Sequence, residues 1–312
     1  MTDALREPER PVSAWERTMP FWQSITRYGY VPFMLLGLNG LAIALVAAGY
    51  PYWTLGFVLF AAIATAFIAE RILPVHDDWN HEHGDQGRDI AHAVVYEISN
   101  LNSILLLPII AWFIPWDGIW PTHWPFWIQV LIAVIVADFG FSMLHWLSHR
   151  VDFLWRLHAV HHSIERLYGF NGLVRHPLHQ TIDLAIGTLP LVLAGLPVNV
   201  AVVLGAIISI QLFVQHSNVD FRIGIFQRWL SIGTLHHLHH VNWGKEGDVN
   251  FGLFFTVWDW MLGTLVHEPK RAINHDDMGI DDEPNYPRRY IDHLIHPFFP
   301  RTDDKRRPLN EP

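Results

Sequence analysis

Long uncharged runs, set between stretches that hold every cation, limit this chain to few architectures. Val31–Gly49 is an uncharged run of 19 residues and Trp53–Ala69 one of 17, joined by Gly49-Tyr50-Pro51-Tyr52. Each approaches the roughly 20 residues that a membrane-spanning helix needs, and together they predict a transmembrane hairpin. Ile90–Ile114 is a weaker third span with Glu97, Asn100 and Asn102 in its first half. Phe126–Leu144 is the fourth. Ile182–Leu196 and Val198–Val214 form a second apolar pair around Gly195-Leu196-Pro197. Both are short, so a hairpin that only partly crosses the bilayer fits as well as two full spans. All 21 Lys and Arg fall in residues 1–30, 70–89, 150–175 and after 216, and an even number of crossings separates these stretches. The connections near Pro51, Pro115–Pro125 and Pro197 carry none. The positive-inside rule therefore puts the basic side in the cytoplasm. Only 16% of residues are charged, against about 25% in soluble domains. The polar start, Met1 to Pro11, precedes an apolar run that begins too late for a cleavable signal peptide, so the first span is expected to remain as an anchor.

Three histidine clusters lie on the basic side: His145-x3-His149, His158-x2-His161-His162 and His236-x2-His239-His240. On a helix, positions i, i+3 and i+4 share a face, so each cluster turns its imidazoles toward one point. Eight convergent nitrogen donors exceed the four of a tetrahedral zinc site. They suit two first-row metal ions, and imidazole accommodates iron. Asp138 lies two turns before His145 on the same face, where it could orient a ligand imidazole by a hydrogen bond; a polar contact between helices is the plainer role. His237 is rotated about 100° from His236 and is expected at the surface or behind the ligands. His176 precedes Pro177 and marks a helix start. His76, His81 and His83 sit in an acidic loop, Pro74–Asp89, expected to be solvated. His267, His275, His293 and His296 fall in a charged, Pro-rich tail with one short helix around Tyr290–His296.

The clusters resemble those of the fatty acid hydroxylase/sterol desaturase superfamily of membrane di-iron enzymes, and the match extends beyond histidine. Asp138-Phe139-Gly140-Phe141 stands ahead of the first cluster, His149-Arg150 closes it, and His161-His162-Ser163 closes the second. Asn250-Phe251-Gly252 and Trp258-Asp259-Trp260-Met261-Leu262-Gly263-Thr264 follow the third. The tight spacing of the first two clusters is closest to the bacterial sterol desaturase-like and alkylglycerol monooxygenase-like branches, over about residues 70 to 300. The resemblance implies a ninth ligand, His216, within His216-Ser217-Asn218. It also implies two iron ions and molecular oxygen as co-substrate. Arg175-His176-Pro177 resembles a family motif whose next position is often glutamate; here it is His179, either a tenth ligand or a polar group at the entrance. Neutral ligands leave the cations' charge uncompensated, so Asp138, Glu165 and Asn250 are candidate tuning groups.

The chain is thus expected to be an all-α integral membrane protein. Four transmembrane helices and a short apolar helical hairpin would be capped by a cytoplasmic histidine-rich di-metal domain. Its segments would be a cytoplasmic N-terminal stretch (1–30), a catalytic domain (31–266) and a soluble C-terminal tail (267–312). The resemblance implies oxygen-dependent hydroxylation, or desaturation, of a fatty-acyl, sterol or ether lipid entering from the bilayer. Electrons would come from a separate ferredoxin, cytochrome b5-like protein or reduced pterin. The absence of cysteine excludes disulfides, Cys-ligated iron–sulfur clusters and thiolate haem. A net charge of −9 and the lack of a basic patch argue against nucleic acid. Two other classes remain: a zinc hydrolase, which would want a His-Glu-x-x-His motif that is absent, and a metal transporter, whose histidines should line the spans. Trp112, Trp116, Trp120, Trp124 and Trp127 are expected to form an interfacial aromatic belt, and Phe251–Leu262 an amphipathic segment at the cytoplasmic interface.

Overall fold

The computed structural model describes residues 19–113, 118–268 and 272–299. Among them there are helices and isolated bridges but no strands. Four helices are long and apolar enough to cross a membrane: Phe21–Ala47 (α1), Tyr52–Ile72 (α2, α-helical from Leu55), Phe126–Ser148 (α4) and Val198–His216 (α7). Gln86–Phe113 (α3) and Pro177–Leu193 (α6) pack beside them. The polar side carries Asp152–His162 (α5), Thr234–His239 (α8), Val257–Leu262 (α9) and Tyr290–Ile295 (α10).

Two departures from the sequence reading have clear causes. The first span starts at Phe21 rather than Val31 and runs through Pro32. Proline cannot supply the backbone N–H of its turn; the helix adjusts by a π-helical segment at Phe33–Leu38 and continues unbroken. The second departure concerns the fourth long apolar helix. α7, read from sequence as a short run that need not cross, is long and apolar enough to do so, and the 28-residue α3 runs through residues 90–113 beside it. In α7, 83% of the apolar window is buried, against 33% in α1 and 28% in α2. This helix is the central post, packed by α2, α3 and α4. Hydropathy measures length and apolarity but does not distinguish a lipid-facing helix from one enclosed by neighbours. Glu97 of α3 pairs inward, its Oε1 accepting from Ser209 Oγ on α7 at 2.8 Å.

Helices α4 and α6 touch at glycine. A Cβ on Gly140 would lie 2.7 Å from both Cα and O of Gly187. This approach brings the face bearing Phe141 and His145 against that bearing His179 and Asp183. Gly140→Val is expected to cost about 1–3 kcal/mol through overpacking, read as a lower unfolding temperature in detergent; unchanged stability would show that the helices can part freely.

The Pro74–Asp89 loop is anchored at Trp79 and Asp85, while Asp77, Asp78, His81 and Glu82 are exposed, as expected of a solvated loop. Trp79 is fully buried, and Arg166 grips Asp85 through two bonds of 2.8 and 2.7 Å while donating to the carbonyls of Trp79 and His81. Residues 272–299 likewise fold back onto the body. His293 is buried, donates from Nε2 to Pro287 O and approaches His92 of α3. Trp112, Trp124 and Trp127 are exposed, whereas Trp120 donates to Gln129; Trp116 and residues 1–18 lie outside the described residues.

Candidate metal centre

Four elements deliver imidazoles to one place: the polar end of α4, all of α5, the last residue of α7 and all of α8. They assemble into two groups, each with ring nitrogens within 4.8 Å of one another. One contains His145, His149, His158, His162 and His239; the other His161, His216, His236 and His240. The structure therefore brings together all nine histidines that the sequence singled out as ligands; it keeps the first cluster whole and divides the second and third between the groups. His161 and His162, adjacent in sequence, face different groups because about 100° of helical rotation separates them.

Hydrogen-bond chemistry shows which nitrogens point inward. A carbonyl oxygen only accepts, so a ring nitrogen bonded to one carries the proton and leaves its other nitrogen as a lone pair. His161 Nδ1 donates to Val174 O at 3.0 Å and His216 Nδ1 to Leu212 O at 3.1 Å. Their Nε2 atoms nonetheless lie 3.3 Å apart. His216 Nε2 is also 2.9 Å from His236 Nε2 and 3.2 Å from His240 Nε2, and the last two are 3.0 Å apart. Between His161 and His216, two lone pairs face each other with no proton between them. In the other group, His145 Nδ1 donates to Phe251 O and His239 Nδ1 to Val249 O, at 2.8 and 2.7 Å. Their Nε2 atoms are buried without a protein partner. His149 Nδ1 lies 3.3 Å from Asp248, and its Nε2 3.1 Å from His162 Nε2. A donor set of this kind fits cations: inward lone pairs, with tautomers fixed from outside, are how metal-binding histidines are held.

Burial, reinforced by neighbouring imidazoles, pushes His158, His161, His162, His236 and His240 well below the usual histidine range, and His239 down to about 3. These rings are neutral at physiological pH, the state that binds metal. The lowered value also gives a sign. The unfolded chain, with histidines near 6.5, binds more protons than the folded one at mildly acidic pH. The stability that His239 contributes is complete above about pH 6.5 and is lost as pH falls toward 3. The unfolding temperature of metal-free protein should accordingly drop on acidification below about 6.5; a flat profile would contradict the buried neutral rings.

The supporting residues differ from those the sequence suggested. Asp138 bonds no imidazole. It accepts from the backbone of Phe254 and Phe255 at 2.7 and 3.3 Å, from Trp258 Nε1 at 2.6 Å and from Ser142 Oγ at 3.4 Å. It thus holds the loop whose Phe251 carbonyl orients His145. Asp259, unremarked on its own from sequence, holds the other side of that loop, accepting from Phe251 N and Gly252 N at 2.7 and 2.8 Å. Asn250 adopts a left-handed backbone (φ 57°) and staples the loop to Leu235 O and Val266 O, both at 2.9 Å. Glu165 pairs with Arg288 at 2.7 and 2.8 Å on the exposed side, so its carboxylate is engaged away from the imidazoles.

His237 joins neither group, but it is buried rather than at the surface. It donates to Ser217 O and packs edge-on against Trp79. His176 caps α6, its Nδ1 accepting from Leu178 N. His179 stands outside both groups. Ser148 commits its proton to Leu144 O, so it accepts from His179 Nε2 at 2.9 Å, while His179 Nδ1 lies 3.1 Å from Asp183. Its Nδ1 makes no hydrogen bond there, and the ring borders a cavity of about 30 Å³ that His145, His158 and His236 also line. Asp248 and Asp259 were invisible to sequence reasoning because their partners lie about 100 residues away or on a backbone whose turn no spacing announces.

Comparison with known proteins points the same way. The sequence model described as fatty acid hydroxylase matches residues 130–264, the stretch from α4 to the end of α9. The ornithine lipid hydroxylase OlsE of Rhizobium tropici is 30% identical over 274 residues, covering 84% of this chain and 80% of that protein. Human alkylglycerol monooxygenase is 28% identical over 160 residues, 51% of this chain and 34% of the other. Sphinganine C4-monooxygenase 2 of Arabidopsis thaliana is 28% identical over 142 residues, 44% and 54% of the two. No solved structure matches the chain significantly. A relative aligned along most of both chains, a family match spanning all three clusters and their convergence at the ends of apolar helices agree: the chain belongs to the fatty acid hydroxylase family.

Proposed function

We propose that this protein is a multi-pass membrane lipid hydroxylase that uses two iron ions held by the nine converging histidines. The observation that carries the reading is the pair of imidazole groups whose inward nitrogens lack protein hydrogen-bond partners or face one another across 2.9 to 3.3 Å. His145, His149, His158, His162 and His239 would hold one ion, and His161, His216, His236 and His240 the other. When bound, iron supplies activation of molecular oxygen: one oxygen atom enters a C–H bond as hydroxyl, the other leaves as water, and two electrons and two protons are consumed. The chain's own residues fix ring tautomers through Phe251, Val249, Val174 and Leu212 carbonyls, keep the rings neutral by burial, and border the site with apolar side chains that exclude water. The sequence lacks the His-Glu-x-x-His motif of a zinc hydrolase, and nine imidazoles exceed what one tetrahedral zinc needs. The imidazoles gather at helix ends rather than along the spans, unlike a transport path.

The relative aligned over 274 residues is named for an ornithine lipid, and an acylated amino-acid lipid is the first substrate to test. The electron donor would be a separate ferredoxin, cytochrome b5-like protein or reduced pterin. Purified protein should contain about two iron ions per chain and consume oxygen when reduced, and cells carrying the gene should accumulate lipids heavier by one oxygen. One metal bound through a single cluster, or an unchanged lipid profile, would overturn the reading. For sidedness we infer that the metal centre is cytoplasmic, because all Lys and Arg share one predicted side. In this cysteine-free chain, Thr122→Cys should react with an impermeant thiol reagent added to intact cells and Asp276→Cys should not; the reverse pattern would invert the topology.

A further inference from the structure

The cavity beside the imidazoles has two unlike walls. Phe141 of α4, Ile208 and Leu212 of α7 and Leu253 make one side apolar; Arg175 and Asp183 mark the other. Arg175 is held rigidly. His92 Nδ1 donates to its carbonyl at 3.0 Å, and the next residue, His176, caps α6. Its Nη1 donates to Asp183 at 2.7 Å, and the two side chains are only 15% and 5% exposed. The Nε of the same guanidinium is buried and has no acceptor. Buried donors in folded proteins nearly always find partners. Asp183 already balances the guanidinium charge, so what the cavity lacks is a neutral oxygen acceptor rather than a second anion.

We propose that Arg175 is a substrate-binding residue whose Nε donates to the acyl carbonyl oxygen of an amide- or ester-linked lipid, so that the carbon hydroxylated lies a few bonds from that carbonyl. This rests on the hydroxylase reading above. The cavity is small: about 30 Å³ holds only a few atoms, since one water needs roughly 10–15 Å³, so only a short segment of a lipid fits beside the imidazoles and Arg175 that line it. A lipid entering by its methyl end would leave the guanidinium donor unpaired. One whose carbonyl meets Arg175 places a neighbouring methylene or methine by His145, His158 and His236, with adjoining carbons against Phe141, Ile208 and Leu212.

The test uses iron-loaded, full-length protein and two uncharged-linkage probes of equal chain length, an ester-linked acyl lipid and its ether analogue with a methylene in place of the carbonyl. For wild type, kcat/KM should favour the carbonyl probe by about tenfold or more, the scale of one hydrogen bond to a charged donor. Tandem mass spectrometry should place the new hydroxyl near the polar end. Arg175→Met should bring the carbonyl probe down to the level of the analogue, losing far more on the carbonyl probe than on the analogue, at equal iron content. Arg175→Lys should raise KM for the carbonyl probe with a smaller change in kcat. Equal losses on both probes would make Arg175 a packing residue only, and a hydroxyl near the methyl end would also overturn the proposal. Should Arg175→Met fail to fold, the wild-type probe ratio and product position still decide. If wild type oxidises no lipid, the hydroxylase reading itself fails; if it oxidises both probes equally, only the role of Arg175 does.

Discussion

Replacing His158, His161, His239 or His240 by Ala should abolish lipid oxidation and remove bound iron, one ion or both, whereas His237→Ala should keep two ions per chain. The geometry separates these residues although His237 lies inside the third cluster. His239 and His240 turn their Nε2 atoms into the two groups, while His237 Nε2 bonds Ser217 O. Because His237 is buried, its loss should lower stability through a cavity and a freed carbonyl, by about 1–3 kcal/mol. Iron per folded chain, measured at matched protein in the membrane, is therefore the deciding quantity. Metal loss from His237→Ala as complete as that from His240→Ala would remove the distinction between the two faces of α8 and withdraw the ligand set.

Asp138→Asn should lower activity about 10–100-fold, the usual range for residues that orient metal ligands from behind, while leaving most iron in place. The mechanism is geometric. Asp138 receives Phe254 N, Phe255 N and Trp258 Nε1, so all these partners are donors. An amide offers one acceptor where the carboxylate offers two, and its NH2 group would confront one of these donors. The 251–255 loop then shifts, carrying the Phe251 carbonyl that fixes the His145 tautomer. Asp259→Asn, which faces Phe251 N and Gly252 N from the other side, should produce a loss of the same kind. Wild-type activity in Asp138→Asn would show that the loop holds its place without the carboxylate.

Much of the site was legible because the features that announce it are local. Helical spacing turns an HxxHH pattern into a convergent face, and that is a property of backbone geometry alone; it picked out eight of the nine histidines, with His216 implied by family resemblance. The apolar runs likewise announced membrane-spanning helices through length and composition. Local pattern also has definite blind spots. It suggested that Asp138 orients an imidazole because both lie on one face of α4, yet the carboxylate meets backbone N–H groups more than 100 residues away. It read Pro74–Asp89 as solvated because the loop is acidic, yet Arg166 draws Asp85 into a buried pair.

By itself, the sequence determined that the chain is helical and membrane-embedded, that its histidines gather at helix ends on the basic side, and which superfamily's chemistry it resembles. The first two follow from periodicity, hydropathy and spacing, which need only neighbours along the chain; the last is a resemblance carried by short motifs, which are local as well. The tertiary structure alone decided how the nine imidazoles divide into five and four, that α7 is the enclosed central helix, that Asp259 and Asn250 brace the loop behind His145, and that His179 stands outside both groups. It also left the buried Arg175 donor open beside the imidazoles. Each of these depends on which distant segments meet. Hydrogen-bond donors and acceptors find partners by position in space, and one residue of helical rotation sends His161 and His162 to different groups.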